Sequence, residues 1–260
     1  MKNILLLGAT GSIGDSVLSV IEQNKDSLNL YAMTLDKNVS KAKEILSTFS
    51  PKYIHIHSEE AFDQFIKSSQ SNTNAIHGNA DLNSLVCDNN IDIIVSAISG
   101  FAGLEATAIA ARTGKTVLLA NKESIVTAGE IILSSASSTG TTIIPIDSEH
   151  NAIFQCLAGE KNTNDVSKII ITASGGPFLD KTHQKIKDAK ITDALNHPNW
   201  KMGKKISIDS ATMMNKVFEV IETRNIFDIS YKKILVLIHP SSYIHAIVKF
   251  NDGTSHLVAH

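Results

Sequence analysis

The first half of the chain alternates short apolar runs with segments whose apolar residues recur at helical spacing. The apolar runs predict strands buried on both faces, at residues 3–7, 28–34, 53–57, 91–98 and 116–120. Helices are predicted between them at residues 13–24, 39–49 and 104–112, whereas the polar stretch 67–83 reads as the end of a short helix followed by a loop. This alternation predicts an α/β fold with right-handed βαβ units and a parallel sheet.

The second half loses this regular alternation. Strands are predicted at residues 142–146, 168–172, 234–238 and 243–250, and helices at 181–195 and 211–224, with a loop at 197–205. We therefore expect a boundary near residue 145, with an α/β domain at 1–145 and an α+β domain at 146–260. The final segment, 255–260, reads as the middle of a strand, so the second domain is expected to be incomplete at its C-terminus.

Composition narrows the functional classes. Of the 260 residues, 43% are hydrophobic and 19% are charged, as in globular proteins, and the formal net charge of −2 argues against a non-specific nucleic-acid binder or a basic membrane-surface protein. No apolar run approaches the roughly 18 residues of a membrane-spanning helix. The two cysteines, Cys87 and Cys156, have neither zinc-site spacing nor the number needed for a disulfide framework, so a reduced, cytoplasmic compartment is expected.

A glycine-rich turn follows the first predicted strand and opens the first helix. Gly8, Gly11 and Gly14 form the pattern GxxGxxG, which permits a tight turn, close approach of the backbone to a pyrophosphate, and exposure of helix N–H groups to that anion. The pattern predicts a Rossmann-like dinucleotide site, although a turn that merely connects strand to helix is the alternative. The GK[ST] ending of a P-loop is absent, so an ATPase is excluded. After the second strand, Asp36 favours NAD and Lys37 favours NADP, which leaves that choice open.

Carboxylates follow the strand at 142–146 and recur on the helix at 211–224. Asp147 and Glu149 are spaced i, i+2, which points both side chains to one side of an extended chain. On the helix, Asn215 and Lys216 lie four and three residues before Glu219 and share its face. Three carboxylates would suit Mg²⁺ or Mn²⁺. Spacing alone nevertheless favours simpler structures, namely a capping turn at 147–149 and an exposed Lys216–Glu219 ion pair.

Other polar turns could meet an anionic substrate. Ser174 begins the turn SGGP directly after a strand, and Ser210 directly precedes a predicted helix, where either the serine or a phosphate could cap the helix. Lys122 follows a strand and could hold an anionic or carbonyl group there. The loop at 197–203 holds the single tryptophan, Trp200, and is consistent with a lid or with an ordinary surface loop.

Six motifs occur in a fixed order along the chain: GATGSIG from residue 8, LANKES from 119, PIDSEHNAIFQ from 145, ASGGPF from 173, HPNWKMG from 197 and IDSATMMNK from 208. Together they closely resemble the 1-deoxy-D-xylulose 5-phosphate reductoisomerase family of the non-mevalonate isoprenoid pathway, and the resemblance runs from residue 1 to residue 253. Members of that family continue into the rest of the catalytic domain and a C-terminal helical domain. We therefore expect this helical domain to be missing and His260 to be a truncation point.

The resemblance implies a site for each reactant. It assigns NADPH to Thr10, Gly11, Ser12, Ile13, Lys37, Asn38, Asn121, Glu123 and Gly203. It assigns Mg²⁺ or Mn²⁺, or alternatively Co²⁺, to Asp147, Glu149 and Glu219, which form the catalytic set together with Lys122. It assigns the phosphosugar substrate to Lys122, Ser148, Glu149, Ser174, His197, Ser210, Asn215, Lys216 and Glu219. Trp200 and Met202 would lie in a flexible lid.

The activity that the resemblance implies joins a rearrangement to a reduction. The metal would act as a Lewis acid on the ketone and hydroxyl oxygens of 1-deoxy-D-xylulose 5-phosphate while the carbon skeleton rearranges to an aldehyde. NADPH would then deliver hydride to give 2-C-methyl-D-erythritol 4-phosphate. The resemblance also implies a homodimer, with no nucleic-acid or membrane partner. Asp36 departs from the family, which usually has glycine there, and we expect NADPH to remain preferred by a smaller margin.

Other functions stay open. The glycine-rich start also suits short-chain dehydrogenases, but none of the four tyrosines has the lysine four residues on that their Tyr-x-x-x-Lys pair needs. Semialdehyde dehydrogenases need a catalytic cysteine, and Cys156 lies in a helix-like run without a strand and turn before it. A truncated chain could instead be a module that binds NADPH without turnover. Equilibrium binding of NADPH without substrate-dependent oxidation would distinguish such a module from an enzyme.

Overall fold

The structure, a computed structural model, describes residues 1–69, 72–159, 163–197 and 202–259. The chain forms two compact units, Met1–Ile144 and Pro145–His260. In the described part of the chain, no helix has both the length and the apolar character needed to cross a membrane.

The first unit is a seven-stranded sheet with helices between its strands. The strands are β1 (Lys2–Leu7), β2 (Leu28–Leu35), β3 (Tyr53–Ile56), β4 (Asn74–Ile76), β5 (Ile93–Ser96), β6 (Thr116–Leu119) and β7 (Thr142–Pro145). The α-helices are α1 (Ser12–Gln23), α2 (Val39–Thr48), α3 (Glu59–Ser68), α4 (Asn79–Val86), α5 (Leu104–Ala110) and α6 (Lys122–Thr139). The sheet order is β4-β3-β2-β1-β5-β6-β7, and the pairs from β4 through β6 are parallel.

The centre of this sheet forms where the sequence is most continuously apolar. Ile4 and the three leucines that follow it in β1 are at most 4% exposed. Leu5 and Leu7 pack in one cluster with Leu82 and Leu85 of α4. Burial of four consecutive residues of β1, rather than of alternate residues, requires cover on both faces of the sheet. The predicted α/β fold with a parallel sheet is confirmed.

The polar stretch 67–83 contains more regular structure than its sequence pattern predicts. It holds the end of α3, the short strand β4 and the start of α4, and not simply a helix end and a loop. β4 pairs with β3 at the edge of the sheet, with Asn74 opposite Tyr53. Its formation therefore depends on this neighbour and not on its own weak pattern. The 18-residue helix α6 likewise lies where the pattern predicts no element.

The second unit combines a four-stranded sheet with helices. Its α-helices are α7 (Ser148–Cys156), α8 (His183–Lys187), α9 (Ile191–Leu195), α10 (Lys204–Ala211) and α11 (Met214–Phe227). Its strands are β8 (Val166–Ala173), β9 (Ile234–Ile238), β10 (Ile244–Phe250) and β11 (Ser255–Ala259). The sheet order is β11-β10-β8-β9, with β10 antiparallel to both neighbours and β9 parallel to β8. Ile153 of α7 joins Ile169, Ile171 and Val248 of the sheet in the core.

The helix predicted at 211–224 is divided in the structure. α10 ends at Ala211 and α11 begins at Met214, and Met213 between them has a left-handed φ of 60°. Few residues other than glycine adopt this conformation, so the sequence gives little warning of the break. Ser210 consequently lies in the last turn of α10, and its predicted role as an N-cap is wrong. The charged segment 181–195 similarly forms two five-residue helices, α8 and α9.

Candidate active site and cofactor-binding turn

The turn between β1 and α1 depends on two glycines. Gly8 has a φ of +84°, and a Cβ at this position would lie 2.7 Å from the carbonyl oxygen of Ala97. At Gly14, in the first turn of α1, an added Cβ would lie 2.3 Å from the carbonyl oxygen of Ala9. The helix therefore packs directly on the backbone of the turn, with its N-terminus at the carboxyl end of β1.

This helix N-terminus has the features of an anion site. Gly11 caps α1 without a side-chain hydrogen bond, and the neighbouring Thr10, Ser12 and Ile13 are half-buried or exposed. The strand order reverses at β1, which has β2 on one side and β5 on the other. α/β sheets bind dinucleotides at such a reversal, with the pyrophosphate at the helix N-terminus. The contact of residues 10–13 with NADPH remains a prediction that this geometry supports.

We expect Gly14→Ala to lower the stability of the protein and to weaken NADPH binding. The added methyl would meet main-chain atoms of Ala9, which no side-chain rotation can move away. α1 would have to shift, and overpacking of this kind costs about 1–3 kcal/mol. Thermal unfolding and a fluorescence titration with NADPH measure the two effects.

Gly11→Ala is the matched control for stability. Its Cβ would lie an ordinary 3.5 Å from the nearest atom, the carbonyl oxygen of Gly8, and the φ of −91° at Gly11 suits alanine. We expect this variant to unfold close to the wild-type temperature. Equal unfolding temperatures for the Gly11 and Gly14 variants would contradict the close packing of α1 on the turn.

The residues assigned to the adenosine end of NADPH follow β2. Asp36, Lys37 and Asn38 are all exposed. The Asn38 side chain accepts a 3.0 Å hydrogen bond from the Lys41 amide and thereby caps α2. Asn38 thus has a structural role in addition to its predicted contact with NADPH, and the cofactor contacts of Lys37 and Asn38 remain predictions.

Asn121 likewise organises the chain around it. Its buried Nδ2 donates to two carbonyl oxygens of the loop after β5, at 2.6 and 2.9 Å, and its Oδ1 accepts from the Ser124 amide at 3.0 Å. The side chain therefore caps α6 and ties the start of this helix to the loop. Lys122, which is 6% exposed, and Glu123 lie in the first turn of α6. The roles of these three residues toward NADPH and substrate remain predictions.

Three carboxylates converge at the start of α7. Asp147 is the N-cap of α7, Glu149 lies in its first turn, and Glu219 lies on α11. One oxygen from each lies within 4.8 Å of the corresponding oxygens of the other two. The prediction that an extended chain aligns Asp147 with Glu149 is wrong, because Ser148–Cys156 is helical. The cap and the first turn bring these two side chains together instead.

Lys216 lies within this cluster. Its Nζ donates to Glu149 Oε1 at 2.8 Å and to Glu219 Oε2. Lys216 is 6% exposed and Glu219 is 1% exposed, so the alternative of an exposed ion pair is wrong. Burial would lower the pKa of Lys216, but the carboxylates of Glu219 and Glu149 raise it, and the ammonium group is fully charged at neutral pH. Asn215 Nδ2 donates to Glu219 Oε1, and Ser148 Oγ donates to Glu149 Oε2, each at 2.5 Å.

A fully buried histidine, His150, contacts the cluster through Asp147. Its Nδ1 lies 3.3 Å from Asp147 Oδ1 and 3.4 Å from Glu222 Oε2. Its Nε2 lies 3.0 Å from the main-chain oxygen of Glu219 and 3.1 Å from Thr223 Oγ1. Carbonyl and ionised carboxylate oxygens only accept, so both ring nitrogens are placed to donate, as in the protonated imidazolium. Burial by itself would lower the pKa of His150, but Glu222, Asp147 and Glu219 raise it to about 9.

His150 and Glu222 are candidate functional residues that the sequence analysis missed. A signal was available, because Glu222 follows Glu219 by three residues on α11 and His150 follows Asp147 by three. Residues at this spacing lie on the same helix face. The pairing of α7 with α11 that brings the two residues together is not visible in the sequence.

The donor set of this cluster fits a hard divalent cation. Mg²⁺ and Mn²⁺ prefer carboxylate oxygens, and Asp147, Glu149 and Glu219 each offer one. Three negative charges against the single charge of Lys216 leave an excess of two, which matches such a cation. Glu222 balances the charge of His150.

Three of the residues assigned to the substrate, Ser174, His197 and Ser210, lie at or next to a two-glycine turn. Gly175 and Gly176 have φ values of +88° and +70°, and the Gly176 amide donates to Ser174 Oγ at 3.3 Å. A Cβ on Gly176 would lie 2.7 Å from the carbonyl oxygen of Ser210, so the turn packs directly on the end of α10. His197 Nε2 lies 3.1 Å from Ser174 Oγ. Burial lowers the pKa of His197, which favours its neutral form.

The predicted lid is described only at its ends. Gly203 is the exposed N-cap of α10, and Met202 is half-buried. Trp200 lies outside the described residues. The contact of Gly203 with NADPH and the lid itself remain predictions.

Comparison with known proteins gives matches along most of the chain. A family model described as 1-deoxy-D-xylulose 5-phosphate reductoisomerase matches residues 4–129, and one described as the C-terminal domain of that enzyme matches residues 143–227. The 1-deoxy-D-xylulose 5-phosphate reductoisomerase of Clostridium tetani is 46% identical over 257 residues, which cover 98% of this chain and 67% of the relative.

Solved structures of the same enzyme family also match this chain. A crystal structure of DOX-P reductoisomerase in complex with NADPH, fosmidomycin and magnesium superimposes with a TM-score of 0.93 at 40% identity, covering 100% of this chain and 66% of that one. A hyperthermophilic archaeal homoserine dehydrogenase in complex with NADPH shares the fold alone, with a TM-score of 0.59 at 14% identity. The chain thus spans about two thirds of the length of the reductoisomerases it matches.

Proposed function

Given that the chain belongs to the 1-deoxy-D-xylulose 5-phosphate reductoisomerase family, we propose that the protein converts 1-deoxy-D-xylulose 5-phosphate to 2-C-methyl-D-erythritol 4-phosphate in non-mevalonate isoprenoid biosynthesis. The reaction consumes NADPH and depends on Mg²⁺ or Mn²⁺. The observation that carries this proposal is the meeting of Asp147, Glu149 and Glu219 with Lys216. Three acids beside a charged lysine suit a substrate that has both metal-binding oxygens and a phosphate.

The second unit is proposed as the catalytic domain, residues 146–260. Asp147, Glu149 and Glu219 hold the cation, which supplies Lewis-acid polarisation of the substrate oxygens when it is bound. Ser148 binds the carbon backbone of the substrate, and Lys122 is a further proposed substrate contact. The phosphate is bound by Ser174, His197, Ser210, Asn215 and Lys216. Hydrogen bonds to an ionised phosphate are among the stronger ones in proteins, so this group would orient the substrate as well as hold it.

The first unit is proposed as the NADPH-binding domain, residues 1–145. The turn at Gly8–Gly14 and the uncapped start of α1 support this assignment, since they present main-chain N–H groups to a pyrophosphate. The proposed NADPH contacts are Thr10, Gly11, Ser12, Ile13, Lys37, Asn38, Asn121, Glu123 and Gly203. Hydride reduction of an aldehyde is the chemistry that NADPH supplies when it is bound.

An assay of NADPH oxidation tests the proposed activity. A protein of the length of its relatives, given 1-deoxy-D-xylulose 5-phosphate and Mg²⁺ or Mn²⁺, should oxidise NADPH, and omission of the substrate or addition of a chelator should stop the oxidation. Absence of substrate-dependent oxidation in a protein that binds NADPH would contradict the proposed activity.

A second candidate function is an NADPH-binding module without turnover. The observation that favours it is that this chain spans only about two thirds of its relatives. The same assay on the 260-residue chain decides between the two. NADPH binding without oxidation by this chain, beside an active longer protein, would establish the module.

We also propose a cytoplasmic homodimer. β9 is an edge strand of its sheet, and its four consecutive apolar residues 235–238 are 41–52% exposed. A second copy of the chain could cover this surface, because exposed apolar edge strands favour pairing with another chain. Light scattering should give the mass of two chains, and a monomer would contradict the proposal.

A further inference from the structure

Lys216 forms hydrogen bonds with two of the three residues proposed as metal ligands. Glu149 and Glu219 each accept a hydrogen bond from its Nζ. Lys216 is 6% exposed and Glu219 is 1% exposed, so water offers these charges little alternative solvation. In the absence of a metal, Lys216 therefore supplies the positive charge that Glu149 and Glu219 need, as His150 does for Asp147.

A divalent cation would compete with this ammonium group. Both would bind carboxylates whose oxygens lie within 4.8 Å of one another, and two positive groups at such a distance repel each other. A cation held by all three carboxylates would therefore weaken the hold of Glu149 and Glu219 on Lys216. The displaced ammonium group would then need another anionic partner.

The structure provides a place for that partner at the start of α11. The Met213 amide donates to the Ser210 carbonyl at 3.1 Å, and the Lys216 amide donates to the Met213 carbonyl at 3.1 Å. The main chain thus holds the first turn of α11, which carries Asn215 and Lys216, against the end of α10. The turn at Gly176 packs on the same end of α10. The turn of α11 that carries Lys216 therefore lies close to Ser210 and to the turn after Ser174, two of the residues proposed for the substrate phosphate.

We propose that Lys216 exchanges partners during binding. It neutralises Glu149 and Glu219 in the metal-free protein, and it is released to the phosphate of the substrate when the metal takes these carboxylates. This inference rests on the proposed function, because it takes the three carboxylates to be a metal site. It couples the two binding events: the metal frees the lysine for the phosphate, and by linkage the phosphate frees the carboxylates for the metal.

A Mn²⁺ titration of chelator-treated protein of the length of its relatives, followed by electron paramagnetic resonance, tests the exchange without turnover. Lys216→Met removes the ammonium group and keeps most of the side-chain length. We expect it to bind Mn²⁺ about tenfold more tightly than wild type, which corresponds to about 1.4 kcal/mol of lost competition. Mg²⁺ should also raise the affinity of wild type for inorganic phosphate, and by a larger factor than in Lys216→Met.

Lys205→Met is the matched control for net charge. Lys205 lies on α10, where its Nζ pairs with Asp209 at 2.6 Å and lies 5.0 Å from the centre of the Phe218 ring. Its replacement removes the same charge from the protein, and we expect the Mn²⁺ affinity to stay at the wild-type value. A tenfold gain in this variant as well would overturn the exchange, because net charge alone would then explain the effect.

The remaining outcomes separate this inference from the proposed function. Equal or weaker Mn²⁺ binding by Lys216→Met, in a background where wild type binds Mn²⁺, would overturn the exchange and leave the proposed function intact. Failure of wild type to bind Mn²⁺ would overturn both. If Lys216→Met does not fold without metal, wild type with isotopically labelled lysine nitrogen decides. Saturating Mg²⁺ should shift the nuclear magnetic resonance signal of the Lys216 ammonium group, and an unchanged signal would overturn the exchange.

Discussion

Replacement of Glu219 by glutamine is expected to lower the affinity for Mn²⁺ by about 100-fold or more and to remove turnover. The amide keeps the shape of the side chain but removes the charge of the most buried carboxylate in the cluster. Substitutions in residues that merely orient metal ligands already cost about 10–100-fold, so loss of a ligand charge should reach at least the upper end of that range. Lys216 would keep Glu149 as a partner and would continue to compete with the cation.

Asp188→Asn provides the control for Glu219→Gln. Asp188 is an exposed carboxylate of the same unit, which accepts a 2.8 Å hydrogen bond from Gln184, so its loss should change neither Mn²⁺ binding nor NADPH oxidation. The two variants are compared by Mn²⁺ titration and by the oxidation assay in protein of the length of its relatives. Wild-type Mn²⁺ affinity in Glu219→Gln would mean that Glu219 is not a ligand.

The parallel sheet could be predicted from the sequence because its central strands are apolar without interruption. Strands β1 and β2 are each one residue longer than the strands predicted at residues 3–7 and 28–34. β4 escaped prediction because its three residues are exposed or half-buried at the edge of the sheet. α3, in contrast, has a pattern that the sequence does show, because Ala61, Phe62, Phe65 and Ile66 recur at helical spacing and Ala61 and Phe65 are buried.

The break between α10 and α11 could not be predicted because its cause is not local. The segment from Ala211 to Asn215 contains neither glycine nor proline and reads as continuous helix. The left-handed conformation of Met213 is accompanied by the close packing of Gly176 on Ser210. Such tertiary contacts override the helical preference of the segment. A residue held in this conformation costs about 1–3 kcal/mol and persists only where its surroundings impose it.

The candidate site was identified by motifs, while its electrostatics came from the structure. The motif PIDSEHN and the helix residues 215–219 place the acids and the lysine in the sequence, but periodicity alone favoured an exposed ion pair. Burial of Lys216 and Glu219 follows from the packing of α11, which the sequence does not show. His150 and Glu222 are in contact although they lie 72 residues apart in the sequence. A contact of that kind appears only when the fold is known.

Replacement of His150 by glutamine is expected to destabilise the second unit strongly at about pH 6 and only slightly at about pH 10. The substitution removes a buried positive charge and leaves the carboxylates of Asp147 and Glu222 without it. Removal of one partner from a buried charge pair costs about 3–5 kcal/mol. The protein should be metal-free for this measurement, because Asp147 is a proposed metal ligand.

The pH dependence follows from the protonation of His150 in the two states. The folded protein raises its pKa from 6.5 to about 9. Below about pH 6.5 both states hold the proton, and the full stabilisation is present. As the pH rises from about 6.5 to about 9, the unfolded chain releases its proton before the folded protein does. The stabilisation therefore declines over this range and is lost above about pH 9. A shift of this size corresponds to about 3 kcal/mol.

Native-state hydrogen exchange of the amides in α7 and α11, corrected for intrinsic rates, measures the free energy of opening of this region at both pH values. His55→Gln is the control, because His55 is also buried, next to the Gly78 carbonyl, but burial lowers its pKa. The stabilisation by His55 should therefore increase with pH, as measured by hydrogen exchange of the amides in β3. If the cost of His150→Gln is the same at both pH values, His150 is neutral in the folded protein. Asp147 would then be held by a neutral hydrogen bond and not by a charge.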